Sequence, residues 1–385
     1  MNMNELIDRV CSGFIADGAI GASCLVFKDG RELYSGCFGF ADREAELPMC
    51  RDSICRLFSL TKPVTAAAAM ILCEKGLLSV DDRVSRFFPE FADITRQDGD
   101  RAVPCGRELT IRHLLTMTAG LPYPNNFDLS VRRAGELFDR AEAGIRGGVP
   151  VTTEMFTRSA AKIPLSFEAG SRWDYGISAD VLGGIIEKAA DVPFGEFMHN
   201  YIFEPLGMSD TGFYVPVNKR DRFTALYKWC GGTLVRDEGR YLALTDFSKP
   251  PAFESGGAGL CSTIDDYSRF ARMLCNGGEF GGVRILGRDT VEFMTSPLLS
   301  AAQNTMWERL KGYNYGCLMR VMTEPDIAEV RTGAGECGWD GWTGTYFNFN
   351  LKNGISVLFF TQIAGAGMTW QAAEISRIVY DELGR

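Results

Sequence analysis

The sequence predicts an α/β (α+β) fold: an antiparallel sheet drawn from both ends of the chain, flanked by terminal helices, with a mostly helical region inserted between them. Two observations carry this expectation. Strand-like segments with turn dipeptides occupy residues 21–42 and again 312–362, whereas apolar residues at three- and four-residue spacing dominate the stretch between. Helical segments, 4–16 and 370–383, lie outside the strands at either end.

In chain order, the first helix is followed by two strands, 21–30 and 31–42, joined at Asp29-Gly30, a dipeptide suited to a hairpin turn. An alanine-rich helix, 63–76, then closes on Gly76, where a left-handed C-cap is expected. Residues 111–120, 178–191, 194–203 and 263–278 have helical periodicity. Near the C-terminus, 312–322 reads as a strand and 344–362 as a hairpin turning through Lys352-Asn353-Gly354, before the closing helix. The expected organisation is a single unit, 1–385, with an α/β part (1–75 and 255–385) and a mostly helical part (76–254).

Composition narrows the function classes. The 385 residues carry 40 Lys and Arg against 49 Asp and Glu, a net charge of −9 without basic clusters, which argues against nucleic acid or an anionic membrane as partner. The longest apolar run, 66–73, has eight residues, far short of the ~20 of a membrane span. Glu5, Asp8 and Arg9 interrupt the N-terminal segment where a secretory signal would be continuously apolar. Twelve cysteines, scattered from Cys11 to Cys337 with no C-x-x-C pair, are expected to be mostly reduced and buried, which fits a cytoplasmic address.

Chemistry is limited by what the chain lacks. With only His113 and His199, and no H-E-x-x-H, a three-histidine zinc site is impossible in one chain, and no metal or other cofactor is expected. His113 reads as a capping or core residue and His199 as a surface one. There is no G-x-S-x-G elbow and no phosphate-binding glycine loop. What remains is Ser59-Leu60-Thr61-Lys62, where a strand-like segment meets the alanine-rich helix. At a helix start, residues i and i+3 share a face, so the Lys62 amine can stand beside the Ser59 hydroxyl; the helix end and burial under Ala66 and Ala67 would keep the amine neutral. A neutral amine can accept the serine proton and make the alcohol a nucleophile. The same spacing recurs at Ser159-Ala160-Ala161-Lys162, assigned to a solvated helix face.

Independent support comes from residues 164–175 (P-L-x-F-x-x-G-x-x-W-x-Y), 110–121 (T-I-R-H-L-L-T-M-T-A-G-L) and 256–270 (G-G-A-G-L-C-S-T-I-D-D-Y-S-R-F). Taken with the S-x-x-K helix, the chain resembles the serine β-lactamase and penicillin-recognising family, most closely class C β-lactamases and family VIII carboxylesterases. The resemblance implies a β-lactamase/transpeptidase-like fold, Ser59 as the acylated nucleophile, Lys62 as its proton-exchange partner, and Tyr175 in the tyrosine position of the Y-x-N motif. Which of Lys62 and Tyr175 takes the first proton stays open. At the third motif, K-T-G or H-T-G in penicillin-binding enzymes, this chain has Trp339-Asp340-Gly341, matching the W-x-G of the esterase relatives. The motif's cation is absent, so a neutral ester becomes more plausible than a carboxylate-bearing β-lactam or peptide. The glycine would let the strand approach the acyl group, and the Trp342 amide would join the Ser59 amide as an oxyanion hole. Ile177 stands where Y-x-N has asparagine, which makes β-lactam deacylation doubtful.

The function expected is therefore a serine hydrolase on a small-molecule ester or amide, with weak or no β-lactam turnover. The alternatives are a D-alanyl-D-alanine carboxypeptidase or β-lactamase, and a non-catalytic penicillin-binding-like binding protein. Tyr123, Phe127 and Trp229 are aromatic loop residues that would either shape specificity or pack between loops.

Overall fold

The computed structural model describes residues 1–124 and 128–384; Phe127 lies outside them. Helix α1 (Met3–Ala16) starts at a capping box in which Asn2 Oδ1 accepts from the Glu5 amide and Glu5 Oε2 from the Asn2 amide. Strands β1 (Gly21–Lys28) and β2 (Arg31–Asp42) follow, turning at Asp29 and Gly30 with φ of 50° and 75°. Both turn residues are left-handed, as a two-residue hairpin turn that matches strand twist requires.

The main sheet has eight strands, all antiparallel: Tyr313–Tyr315, Arg320–Met322, Glu336–Asp340, Tyr346–Asn350, Ile355–Phe360, β1, β2 and the edge strand β3 (Leu47–Pro48). The C-terminal strand Ile355–Phe360 lies beside β1, so the two chain ends do build one sheet. Alternation along β1 sends Ala22, Cys24 and Val26 to a layer formed by α1 and the closing helix Trp370–Leu383, and Leu25 and Phe27 to the main core, where the helix Ile264–Cys275 packs on the sheet and which α2 (Thr61–Glu74) also joins. Both faces are thus covered, which is why β1 is almost uniformly apolar.

Several expectations need correction. The segment 312–322 is two short antiparallel strands, because the chain turns back between them, with Leu318 left-handed (φ 54°) and the Gly316 amide donating to Met319 O at 2.9 Å. The helix expected over 111–120 stops at Leu115, since Met117 and Gly120 take positive φ. The 194–203 helix widens into a π turn, His199–Phe203, ahead of Pro205, which has no N–H to continue the α ladder. Two hairpins, Thr95–Asp98 with Arg101–Pro104 and Tyr227–Cys230 with Thr233–Arg236, interrupt the inserted region; strands of four residues leave too little alternation to announce themselves. Of the twelve cysteines, all free, six are buried, while Cys37, Cys50 and Cys230 are exposed. Among the described residues no helix is long and apolar enough to cross a membrane.

Register also creates a buried ion pair. Arg320 lies opposite Gly338, whose same-face neighbours are Glu336 and Asp340, so the guanidinium falls between two carboxylates, 3.4 Å from Glu336 and 3.6 Å from Asp340. Arg320 and Glu336 are wholly buried. Replacing Arg320 by Met leaves a buried carboxylate without its cation and should destabilise the fold by about 3–5 kcal/mol. Urea denaturation checks this, with Arg320→Met/Glu336→Leu expected to recover much of the loss; equal destabilisation in both would show the charges do not act as a pair.

Candidate active site

The turn carrying Ser59 is built before α2 begins. Cys55–Arg56 pairs with Cys261–Ser262; Leu57 then donates its amide to the Leu260 carbonyl (2.9 Å) and accepts at its own carbonyl from Thr345 Oγ1 (3.0 Å). Phe58 follows with φ 45°, uncommon for a bulky residue, its ring held against Trp342 at 5.1 Å between centroids. Ser59 sits in the 3-10 turn Phe58–Leu60 and Lys62 in the first turn of α2, which starts at Thr61, two residues earlier than expected.

This geometry sets Lys62 Nζ 3.1 Å from Ser59 Oγ. The amine also reaches Tyr123 Oη at 3.1 Å and the Gly257 carbonyl at 2.8 Å, with no solvent exposure. Burial pushes its pKa down to about 7, with Asp180 and then Asp340 opposing the shift. Loss of solvent is the largest cause. Asp180 is itself buried, with its carboxyl pKa raised by desolvation, and Oδ1 accepts from Ser255 Oγ (2.5 Å) and the Gly257 amide (3.1 Å).

Tyr175 comes from a loop laced to the segment leading into Tyr123: the Asp174 amide donates to Met117 O (2.9 Å), the Ile177 amide to Leu121 O (3.0 Å), and Pro122 bridges Gly176. At Gly176 a Cβ would fall 1.8 Å from Leu121 O, so the close approach demands glycine. Burial raises the Tyr175 phenol well above its ordinary pKa, against smaller lowering contributions from the Ser59 hydroxyl and the Trp339 indole. Trp339 Nε1 donates to Tyr175 Oη at 3.2 Å, and the Tyr175 ring lies 4.6 Å from Lys62 Nζ. Ser59, Lys62 and Tyr175 are therefore gathered at one point, and Tyr123 joins them.

These groups open onto a cavity of about 520 Å³ whose walls include Phe58, Tyr241, Trp307, Trp339 and Trp342, with Asp340 and Arg309 also in its lining. Both motif tryptophans therefore face the cleft. Asp340 is only 8 % exposed and is tied to Arg320, so it serves the wall more than the opening. Gly341 departs from its expected reason: a Cβ there would meet Thr345 Oγ1 at 2.1 Å and Leu57 O at 2.3 Å, so what it admits is the Ser59 turn, not an acyl group. Its amide is spent on Thr345 O (2.6 Å), whereas the Ser59 and Trp342 amides donate to no group among the described residues.

Ile177 is wholly buried and outside the cavity lining. Trp229 is half exposed on its hairpin and also outside the lining. His113 caps its helix, Nδ1 accepting from the Thr110 amide at 3.2 Å, and His199 is exposed. The second S-x-x-K, with Ser159 partly exposed and Lys162 exposed, lies outside the cavity lining. Sequence reasoning missed Asp180 and Gly257, and left Tyr123 among loop aromatics; the G-G-A-G run and the turn after T-A-G-L were the available signals.

The family model described as Beta-lactamase matches residues 7–378, and the chain belongs to that family. It is 32% identical over 352 residues to Protein Rv1367c of Mycobacterium tuberculosis, covering 88% of this chain and 83% of the relative. It is 32% identical over 374 residues to Esterase EstB of Burkholderia gladioli, covering 91% of this chain and 88% of the relative. Among solved structures it superposes on "EstCE1, a hydrolase with promiscuous acyltransferase activity" with a TM-score of 0.81 and 27% identity, over 97% of this chain and 98% of that one. The fold is the β-lactamase/transpeptidase type.

Two substitutions probe this geometry. Gly341→Ala should cost about 1–3 kcal/mol of stability in a denaturation curve through overpacking against Leu57 and Thr345. Tyr123→Phe removes one hydrogen-bond partner of Lys62, and with it support for the charged amine, so any activity limb that reports Lys62 should move to lower pH; an unmoved limb would dissociate the phenol from the amine.

Proposed function

We propose that this protein is a serine hydrolase acting through an acyl-Ser59 intermediate, a carboxylesterase on small esters with weak or no β-lactam turnover. The observation that carries the reading is a wholly buried amine, pKa about 7, at 3.1 Å from Ser59, the only serine in the aromatic cleft lining among the described residues. In that state a substantial fraction of Lys62 is neutral at pH 7 and can accept a proton, while the raised Tyr175 phenol holds its own. This favours Lys62 as the first base.

Ser59 Oγ attacks the ester carbonyl carbon as its proton passes to Lys62 Nζ. The Ser59 and Trp342 amides, which have no other acceptor among the described residues, bind the developing oxyanion. As the intermediate collapses, the leaving alcohol takes a proton back from Lys62, with Tyr175, held by the Trp339 indole, able to pass it on. Water then attacks the acyl-enzyme by the same steps in reverse. An alcohol in place of water would give acyl transfer, a second reading supported by the likeness to EstCE1, whose description includes that activity.

Ester preference is supported by the walls. Where penicillin-binding enzymes carry the third motif's cation, Trp339 offers a neutral indole N–H already engaged with Tyr175. Likeness to Esterase EstB points the same way.

Intact-mass measurement after exposure to p-nitrophenyl butyrate, a penicillin and a serine-directed phosphonate tests the chemistry. A mass gain confined to Ser59 and absent from Ser59→Ala is expected, with turnover of the ester alone; no adduct from any probe would leave a binding protein. Because burial lowers the Lys62 pKa, kcat/KM for the ester should fall as pH drops through about 7, where the amine becomes charged. Lys62→Ala and Tyr175→Phe should each lower kcat by roughly 10²-fold or more with circular dichroism unchanged. Near-normal turnover in either variant would remove that residue from the mechanism.

A further inference from the structure

A cavity of about 490 Å³ lies at the far end of the sheet, apart from the Ser59 cleft, between the β1–β2 turn, the last turn of the helix Ile264–Cys275 and the turn before Ile355–Phe360. We infer that it binds the phosphate group of a small organic phosphate.

Three cations line it: Arg272, Arg288 and Lys352. Arg272 is the organising one. Its guanidinium is held between the rings of Phe27 and Phe280, 4.7 Å from each centroid, and Nη2 donates to the Gly30 carbonyl at 2.7 Å. Its Nε is buried with no partner, Nη1 has no hydrogen bond among the described residues, and no carboxylate lies within ion-pair distance of it. Ser356, 1 % exposed, also lines the cavity with its hydroxyl unpartnered. A planar donor fork fixed by stacking, beside a spare hydroxyl, suits a tetrahedral oxyanion with several acceptor oxygens.

Of the two carboxylates in the lining, one is firmly paired and the other only loosely. Asp29 lies 3.8 Å from Lys28, and Glu279 pairs with Arg284 at 2.7 Å, both cations outside the cavity lining. Arg288 has only Glu292, at 3.9 Å, and Lys352 has no ion pair among the described residues. The helix end would repel an anion if its last carbonyls were bare, but those of Arg272, Met273 and Leu274 accept from the amides of Asn276, Gly278 and Gly277. In a chain of net charge −9, this local positive surplus is not a consequence of composition. Phe280 and Leu351 offer an apolar surface in the same cavity for the organic part.

Thermal-shift and calorimetric titrations of the full chain with AMP, inorganic phosphate and citrate, at matched ionic strength, test the site. Saturable stabilisation by AMP, stronger than by inorganic phosphate and weakened about tenfold or more in Arg288→Ala/Lys352→Ala, is expected. Both substituted residues are exposed, and ester turnover should be unchanged in the double variant, so the outcome is independent of the Ser59 chemistry. Binding of phosphate without AMP, or of citrate as tightly as AMP, would overturn the organic-phosphate ligand. No saturable shift, or an equal shift in the double variant, would overturn the site.

Discussion

The architecture around Ser59 turns on one constraint: a lysine amine taken entirely out of water with no carboxylate against it. Desolvating a charged ammonium without a partner is expensive, so the group relaxes by losing its proton more readily, and a pKa near 7 is the visible result. Its surroundings hold that balance. A carbonyl and two hydroxyls satisfy its hydrogens, while the Asp180 and Asp340 carboxylates act on it without touching it. Closer carboxylates would restore the charge, and open water would do the same.

Keeping the amine dry requires five stretches of chain to meet with almost no gap. α2 supplies Ala66 and Ala67, wholly buried beside it. The 256–257 run passes so near that a Cβ on Gly256 would stand 2.3 Å from Ala179 O, and one on Gly257 2.6 Å from Asp180 Oδ2. The Tyr175 loop and the segment before Tyr123 are zipped to each other, and the Trp339 strand end presses on Leu57 through Gly341. The glycines share one physical role, close approach: Gly256 and Gly341 pass neighbouring backbone carbonyls, and Gly257 makes room for the Asp180 and Tyr123 side chains. The left-handed Phe58 lies in the same packing, directly after Leu57, whose amide and carbonyl are both tied.

The sheet anchors the site. The Trp339 strand is paired on both sides, with Arg320–Met322 and Tyr346–Asn350, in a sheet that the N-terminal strands extend beyond Ile355–Phe360 and that is covered on both faces. The buried Arg320–Glu336 pair, set by register opposite Gly338, fixes Asp340 at the last position of that strand, immediately before the residues that close over Ser59.

Periodicity and turn chemistry determined, from sequence alone, the terminal helices, the β1–β2 hairpin and the pairing of the two ends, because these are local or strongly alternating features. Motif spacing put Lys62 beside Ser59, and the family resemblance added Tyr175 and, through the tryptophan in place of the third motif's cation, the expectation of a neutral ester as substrate. Short hairpins and helix ends escaped, since a few residues hold too little pattern. What only the tertiary structure decided was how the amine is tuned: Tyr123, Asp180 and Gly257 reach Lys62 from positions with no shared spacing. A pKa depends on everything within a few ångströms in space, and sequence separation carries no record of that distance.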